Sequence, residues 1–347
     1  MKTPRLSFRL SSEAGVTLLE LLLAMTVLSF VILGATAAFL SQNDIVLNTD
    51  QIANIQRDAR TALRIITNDL AMAGSRVGIV RSDGGTMVPV GISHQRGLTD
   101  FAGETLIPGS DVITVIRGYE NFDTGEVQSG STSTDLKIFF VDPRLIRVPL
   151  ESVIFAVRGS STLCAFQVDI PAEIDDPADP GWAGNTLSLP VNAYTDPFGA
   201  SFSNCSAVVL DAMRAFRGEV IRYWLAAIPD PRPGEEGLGQ LRIQVNDLAA
   251  LTLSSNIEKF SVTFLDDAAG VVDATVATNL PLVRMARVSV TGRSDRFERS
   301  NPRSGLSLPT DVVNGQRVQW FRRRYERLVS LRDAAPTVAG YGSPALP

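Results

Sequence analysis

Residues 16–40 read VTLLELLLAMTVLSFVILGATAAFL, a run of 25 residues with one charge, Glu20, and no proline. A helix rises about 1.5 Å per residue, so this run reaches about 37 Å and can cross a hydrocarbon core of about 30 Å with some tilt. The segment before it, MKTPRLSFRLSSEAG, holds Lys2, Arg5 and Arg9 against Glu13, and the next basic residue is Arg57. The positive-inside rule therefore keeps the N-terminus cytoplasmic and exports everything beyond Leu40. An ordinary secretory signal is the competing reading, but its apolar region spans about 7 to 15 residues and ends in small residues at a cleavage site. Here the run is longer, at 25 residues.

Working outward, the helix is expected to continue. No proline occurs between Pro4 and Pro89, and Ile45, Ile52, Ile55, Ala59, Leu63, Ile66 and Leu70 recur at steps of three, four or seven, an amphipathic stripe over residues 41–74. Gly74 and Gly78 supply a stop. The stripe needs an apolar surface, either a second helix in a short coiled-coil stalk or a sheet supplied further along the chain.

A sheet is what residues 75–333 predict. Short β-branched or aromatic runs bounded by Gly, Pro, Asn and Asp give strands at 111–117 (DVITVIR), 135–141, 153–157, 162–170 (TLCAFQVDI), 207–210, 219–226 (EVIRYWLA), 241–245, 257–265 (IEKFSVTFL), 282–290 and 318–331. Arg242, Glu258, Arg284 and Arg287 alternate with apolar neighbours, as in antiparallel strands with one wet face. Residues 171–197, 229–239 and 300–314 read as loops and 334–347 as a flexible tail. The fold class is α+β: a long N-terminal helix, its first half transmembrane, packed through its second half on an exported antiparallel β-sheet head.

Composition narrows the chemistry. With 32 basic and 37 acidic residues the chain is net acidic, so no global basic field attracts a nucleic acid. The single histidine, His94, has no cysteine nearby and reads as a surface or turn residue. Asp175, Asp176 and Asp179 share one loop, and Asp266, Asp267 and Asp273 another, but neither set has the spacing of a calcium loop, and both read as solvated turns. No nucleophile elbow, phosphate loop or zinc-protease motif occurs. The chain reads as a non-enzyme with no cofactor. Cys164 and Cys205 are the two cysteines, and in an exported segment they suit a disulfide, the alternative being two buried thiols. Arg322, Arg323, Arg324 and Arg327 beside Trp320, Phe321 and Tyr325 read as an arginine-fringed edge strand, with nucleic-acid or polysaccharide contact as the other option.

Glu20 is the anomaly of the membrane run. A carboxylate costs about 2.5–3.5 kcal/mol at a bilayer centre and less near an end, where it can snorkel; an intramembrane acid is otherwise a functional residue by default. It closes the string Gly15-Val16-Thr17-Leu18-Leu19-Glu20 behind a basic leader. That string resembles the leader of type IV prepilins and type II secretion pseudopilins. The resemblance implies that a membrane prepilin peptidase cuts after Gly15, ending a leader of residues 1–15, and that Val16 becomes the N-methylated first residue. It further implies that Glu20 acts in subunit assembly, neutralising a neighbour's N-terminal ammonium in an apolar helix bundle. The family usually carries Phe or Met where this chain has Val16.

Further strings extend the likeness to PilW-type minor pilins: Arg60-Thr-Ala-Leu63 with Asp69-Leu-Ala-Met-Ala-Gly74, then Gly109–Val115, Ala165–Val168, Ile257–Val262 and Val329–Arg332. They imply a minor pilin that helps initiate a type IV pilus or occupies its tip, serving motility or cell adhesion. Its partners would be the inner membrane, the peptidase, other minor pilins and the major pilin, and it would move from a single-pass inner-membrane form to a periplasmic or cell-surface pilus. A J-like pseudopilin, usually much shorter, and a pilus-displayed adhesin are the alternatives.

Overall fold

The computed structural model of the chain describes residues 17–74, 80–83, 86–89, 91–118, 125–132, 134–139, 153–158, 162–168, 182–183, 185–193, 213–231, 237–246, 248–274, 283–294, 298–299, 310–313, 316–319 and 322–331. It divides into two compact units, Met1–Ala53 and Asn54–Pro347. One helix, α1 (Leu18–Ala71), belongs to both. Leu, Ala and Ile dominate it, its one glycine is Gly34, and no proline interrupts it. It ends where Gly74 takes a left-handed φ of 73°, open to glycine without steric cost. There Gly74 N–H donates to Ile116 O at 2.8 Å, and Ile116 N–H donates to Gly91 O at 2.9 Å. A Cβ on Gly91 would sit 2.6 Å from Gly74 N, so the two glycines let the helix end and the sheet touch backbone to backbone.

The strands in chain order are β1 (Val80–Asp83), β2 (Thr86–Pro89), β3 (Ile92–Gln95), β4 (Asp100–Phe101), β5 (Glu104–Thr105), β6 (Val112–Gly118) and β7 (Gly125–Val127). Then come β8 (Asp135–Phe139), β9 (Val153–Arg158), β10 (Thr162–Val168), β11 (Trp182–Ala183), β12 (Thr186–Ala193), β13 (Arg214–Ala227) and β14 (Gly239–Val245). The last are β15 (Leu251–Leu265), β16 (Val271–Val272), β17 (Met285–Arg293), β18 (Glu298–Arg299), β19 (Thr310–Val313), β20 (Gln316–Gln319) and β21 (Arg322–Ser330). Every pairing among them is antiparallel.

The long strand β13 organises the head. Its first part, from Arg214, pairs with β7 on one side and β9 on the other, and the order β7-β8-β12-β10-β9 returns to it, which closes a six-stranded barrel. Phe155, Leu136, Ile138, Cys164, Leu187, Leu189 and Ala215 fill that barrel. Its second part, to Ala227, pairs with β6 and β14, in an open sheet ordered β3-β6-β13-β14-β15-β17-β21. Gly218 stands at the changeover: a Cβ there would fall 2.2 Å from Phe155 Cε2, so glycine makes room for the barrel's aromatic ring.

The open sheet is covered on one face by α1. Ile55, Ala59, Ala62, Leu63, Ile66 and Leu70 are buried there against Ile113, Tyr223, Leu241, Phe260, Val262 and Val288. Each buried Ile or Leu contributes about 1.5–3 kcal/mol relative to exposure. Ala59 and Ala62 keep the helix low, and a Cβ on Gly292 would lie 2.5 Å from Ile55 Cγ2. The predicted stripe is therefore shorter than expected: Ile45 is 62% exposed, and burial begins at Ile55. The opposite face carries a small core of Leu106, Val112, Trp224 and Ala226, packed by Phe101 of the β4–β5 hairpin.

Two expected loops contain strands. β11 and β12 lie within residues 171–197, and β19 within 300–314. In β12 Leu187, Leu189 and Val191 alternate inward, a period-2 signal. Pro190 tolerates the strand because it stands opposite the last paired residue, Asp135. The predicted strand at 318–331 is two strands, β20 and β21, and residues 207–210 and the tail at 334–347 lie outside the described residues.

Candidate functional site

The first half of α1 is apolar and open. Leu18, Leu23, Phe30, Leu33 and Phe39 are all exposed by more than 60%, and none of the helix's most apolar stretch is buried. It is the one helix among the described residues long and apolar enough to cross a membrane. Its polar side chains are satisfied from within: Thr26 Oγ1 donates to Leu23 O, Ser29 Oγ to Met25 O and Thr36 Oγ1 to Ile32 O, each at 2.8 Å. A helix with its hydroxyls turned back onto its own carbonyls presents no unmet donor to lipid.

Glu20 lies in the first turn, and Gly15 and Val16 lie outside the described residues. Thr17 N–H donates to Glu20 Oε2 at 3.1 Å, Thr17 Oγ1 to the same oxygen at 3.2 Å, and Glu20 N–H donates back to Thr17 Oγ1 at 3.3 Å. This is a reciprocal capping box, which meets two backbone N–H groups that a helix start leaves open. The signal stood in the sequence as Thr17-Leu18-Leu19-Glu20, the Thr-x-x-Glu pattern. The helix N-terminus also favours the negative charge.

At its other end α1 is clamped to the head by buried charge. Asp69 accepts hydrogen bonds from Arg117 Nη1 and from the hydroxyl of Tyr223, and Arg117 donates to Glu219 through Nε at 3.0 Å and Nη2 at 2.8 Å. Burial is the largest influence on the Asp69 carboxyl and raises its pKa against the pull of Tyr223 and Arg117. Burial, then the Asp69 charge, drives the Tyr223 phenol far upward, so it stays a donor. The Arg117 guanidinium is raised: burial, the largest single influence, lowers it, and its bonds and charges toward Glu219 and Asp69 outweigh that. The clamp joins residues 48 and 154 positions apart, and the only hint in sequence was an acid, Asp69, within the apolar end of the helix.

The remaining candidates fall apart from these two places. Cys164 is buried on β10 with its Sγ 3.9 Å from Met213 Sδ; no cysteine among the described residues is free, and Cys205 lies outside them. Asp175, Asp176 and Asp179 also lie outside. Asp266 caps its own turn by accepting from Ala268 N–H and Gly270 N–H, while Asp267 pairs with Arg284 at 3.6 Å. Among the described residues no group of three or more His, Cys, Asp and Glu could hold a metal ion.

His94 departs from its expected surface position. Its side chain is 2% exposed, with Nε2 3.3 Å from Asp111 Oδ2 and the ring edge-on to Phe264. Asp111 also accepts from Arg96 Nε at 3.1 Å and Val262 N–H at 2.7 Å. His94 occupies an inward position of β3, where alternation and not polarity decides burial. The arginine cluster lies on β21, the terminal strand in the open sheet's order; Trp320 and Phe321 lie outside the described residues. No protein-family model, curated protein or solved structure matches the chain.

Proposed function

We propose that the chain is a membrane-held prepilin-like protein acting as a minor pilin of a type IV pilus, in initiating assembly or at the tip. The observation that carries this reading is the leader string Gly15–Glu20 abutting a single unbroken helix with an open apolar first half and a sheet-covered second half. Before assembly the apolar half sits in the inner membrane with the leader in the cytoplasm. Prepilin peptidase removes residues 1–15 and Val16 is methylated, after which the helix leaves the bilayer to pack with other minor pilins and the major pilin. On this reading Glu20 has two tasks, capping its own helix and meeting a neighbour's N-terminal ammonium, and the head's Cys164 pairs with Cys205.

N-terminal analysis of the protein from a host with prepilin peptidase tests the reading. The expected mature chain starts at Val16, and Gly15→Ala retains the leader. A chain starting after Ala37 or Ala38 is an ordinary signal-peptide product and overturns it. Quantitative alkylation of both cysteines in denatured, unreduced protein from the periplasm would remove the disulfide.

A further inference from the structure

Charge on the head is distributed unevenly across β21. The strand sits at the end of the open sheet, pairs with β17 along one side, and among the described residues pairs with nothing along the other. Its two faces differ. On the face away from α1, Arg322 is held by Glu258 through Nε and Nη2 at 2.8 Å, sharing that carboxylate with Arg293, and Arg324 pairs with Glu326, so both arginines of the strand there have an acid beside them. On the face toward α1 stand Arg323, Tyr325 and Arg327, opposite Gly292, Val290 and Val288 of the helix-covered core.

The helix adds to the same face. Arg60 lies over the Tyr325 ring with Cζ 5.7 Å from the centroid, and Arg323 reaches that ring at 5.6 Å. Arg57, Arg60 and Arg64 all project from the flank of α1 that Arg60 marks, because at 100° per residue they fall within about 60° of one another. The acids Asp58 and Asp69 fall on the other flank, while Asp50 stands two turns before Arg57 on its side of the helix. Arg57, Arg60, Arg64, Arg323 and Arg327 are exposed, and none makes an ion pair among the described residues. Four helical residues advance about 6 Å and two strand residues about 6.6 Å, so Arg64 follows Arg60 by about the interval at which Arg327 follows Tyr325.

Edge protection accounts for arginines on the strand, whichever face they take. It does not account for three more on the helix, nor for the strand's arginines having acids beside them on one face and not on the other. Two exposed guanidiniums gathered on one tyrosine ring leave several donors each free for an anion. We propose that the outer edge of β21 and the basic flank of α1 form one docking surface for an extended, acidic strand of a partner protein. The strand's backbone would pair with β21, and its alternate carboxylates, about 6.6 Å apart, would face Arg323, Arg327, Arg60 and Arg64. This rests on the head alone and does not depend on the proposed function.

The test uses the full-length chain in non-ionic detergent and a labelled nine-residue peptide, the length of β21, with Glu at every second position and Val or Thr between. Fluorescence anisotropy should show binding that weakens with salt, and hydrogen exchange should show new protection in β21. Arg60→Gln, Arg323→Gln and Arg327→Gln should each weaken binding about three- to fivefold, the range of an exposed ion pair, while Arg324→Gln should not change it. A peptide methylated on alternate backbone nitrogens should not bind, which tests strand pairing without altering the protein. Equal binding of a peptide with the same residues but its Glu clustered at one end overturns the proposal. So does tighter binding of a single-stranded oligonucleotide or of anionic vesicles, or the absence of peptide binding.

Discussion

The barrel and the open sheet share β13, yet they bury their apolar faces in different ways. In the barrel the sheet closes on itself: Leu136, Ile138, Phe155, Leu187 and Leu189 share one core, and among the described residues that core is built from strands. The open sheet has one strongly apolar face, which Ile55, Leu63, Ile66 and Leu70 of α1 cover. Among the described residues one core is made by its strands, and the other also takes in the part of α1 from Asn54 onward. The lesson is that α1 is a structural part of the head from Asn54 onward, so anything that withdraws it should unfold the open sheet before the barrel.

The largest expected effect tests the barrel side. Phe155→Ala empties a fully buried aromatic site and should cost about 3–5 kcal/mol, read as a lowered denaturant midpoint. Hydrogen exchange should quicken in β9, β10 and β12 and stay slow in β15 and β17. Gly218→Ala, harmful alone because of the clash with that ring, should cost less in the Phe155→Ala background. Uniform loss of protection across both cores would show that they unfold as one.

The counterpart on the open-sheet side is Ile66→Ala, expected to cost about 2–5 kcal/mol. Its signature should be reversed, with β15, β17 and the second half of α1 losing protection while β9, β10 and β12 keep theirs. Retained protection in β15 would mean that the sheet does not need the helix.

How much of this could be read beforehand follows from range. The helix was legible because its signals are local: an apolar run, an i, i+3, i+4 stripe and Gly74. β6, β8, β9, β14 and β17 were legible from β-branched alternation. β12 was not, because Pro190 and the acidic, proline-rich run before it outweigh the alternation of Leu187, Leu189 and Val191. The start of β13 was hidden by Arg214, Arg217 and Gly218, none of them a strand signal. Barrel closure depends on pairing residues such as Arg214 and Val157, far apart in the chain, and no local pattern encodes it. At the candidate site the anomaly of Glu20 was visible; its capping by Thr17 was missed although the local Thr-x-x-Glu pattern carries it, and the Asp69 clamp requires three elements to be brought together.

That clamp supplies the third prediction, smaller than either core change. Asp69→Ala should cost about 1–3 kcal/mol, because the buried Tyr223 hydroxyl and Arg117 each lose an acceptor, while Asp69→Asn keeps an acceptor and should cost less. Burial holds the folded-state pKa of Asp69 above its ordinary value of 3.8, so its contribution is fully present below that value and is lost as pH rises through the folded pKa. The stability of the parent relative to Asp69→Asn should therefore fall as pH is raised through the acidic range. A difference that grows with pH would mean that the ion pair with Arg117 outweighs burial.

The smallest effect on stability is expected at the opposite end of the same helix, and it separates the two tasks given to Glu20. Gln at the third helical position can still accept from Thr17 N–H, so Glu20→Gln should leave the capping box in place and remove only the charge. Glu20→Ala removes both. Both changes lie in the first turn of the apolar half. Exchange of the first-turn amides in detergent should accordingly match the parent for Gln and quicken for Ala. If the charge serves a neighbour's ammonium, both variants should fail to co-purify with sheared pili at parental levels although the protein stays in the membrane. If capping is the whole role, Glu20→Gln should assemble as the parent does, and the assembly task would be withdrawn. A failure of Ala alone, matched by frayed first-turn amides, would assign the residue to its own helix.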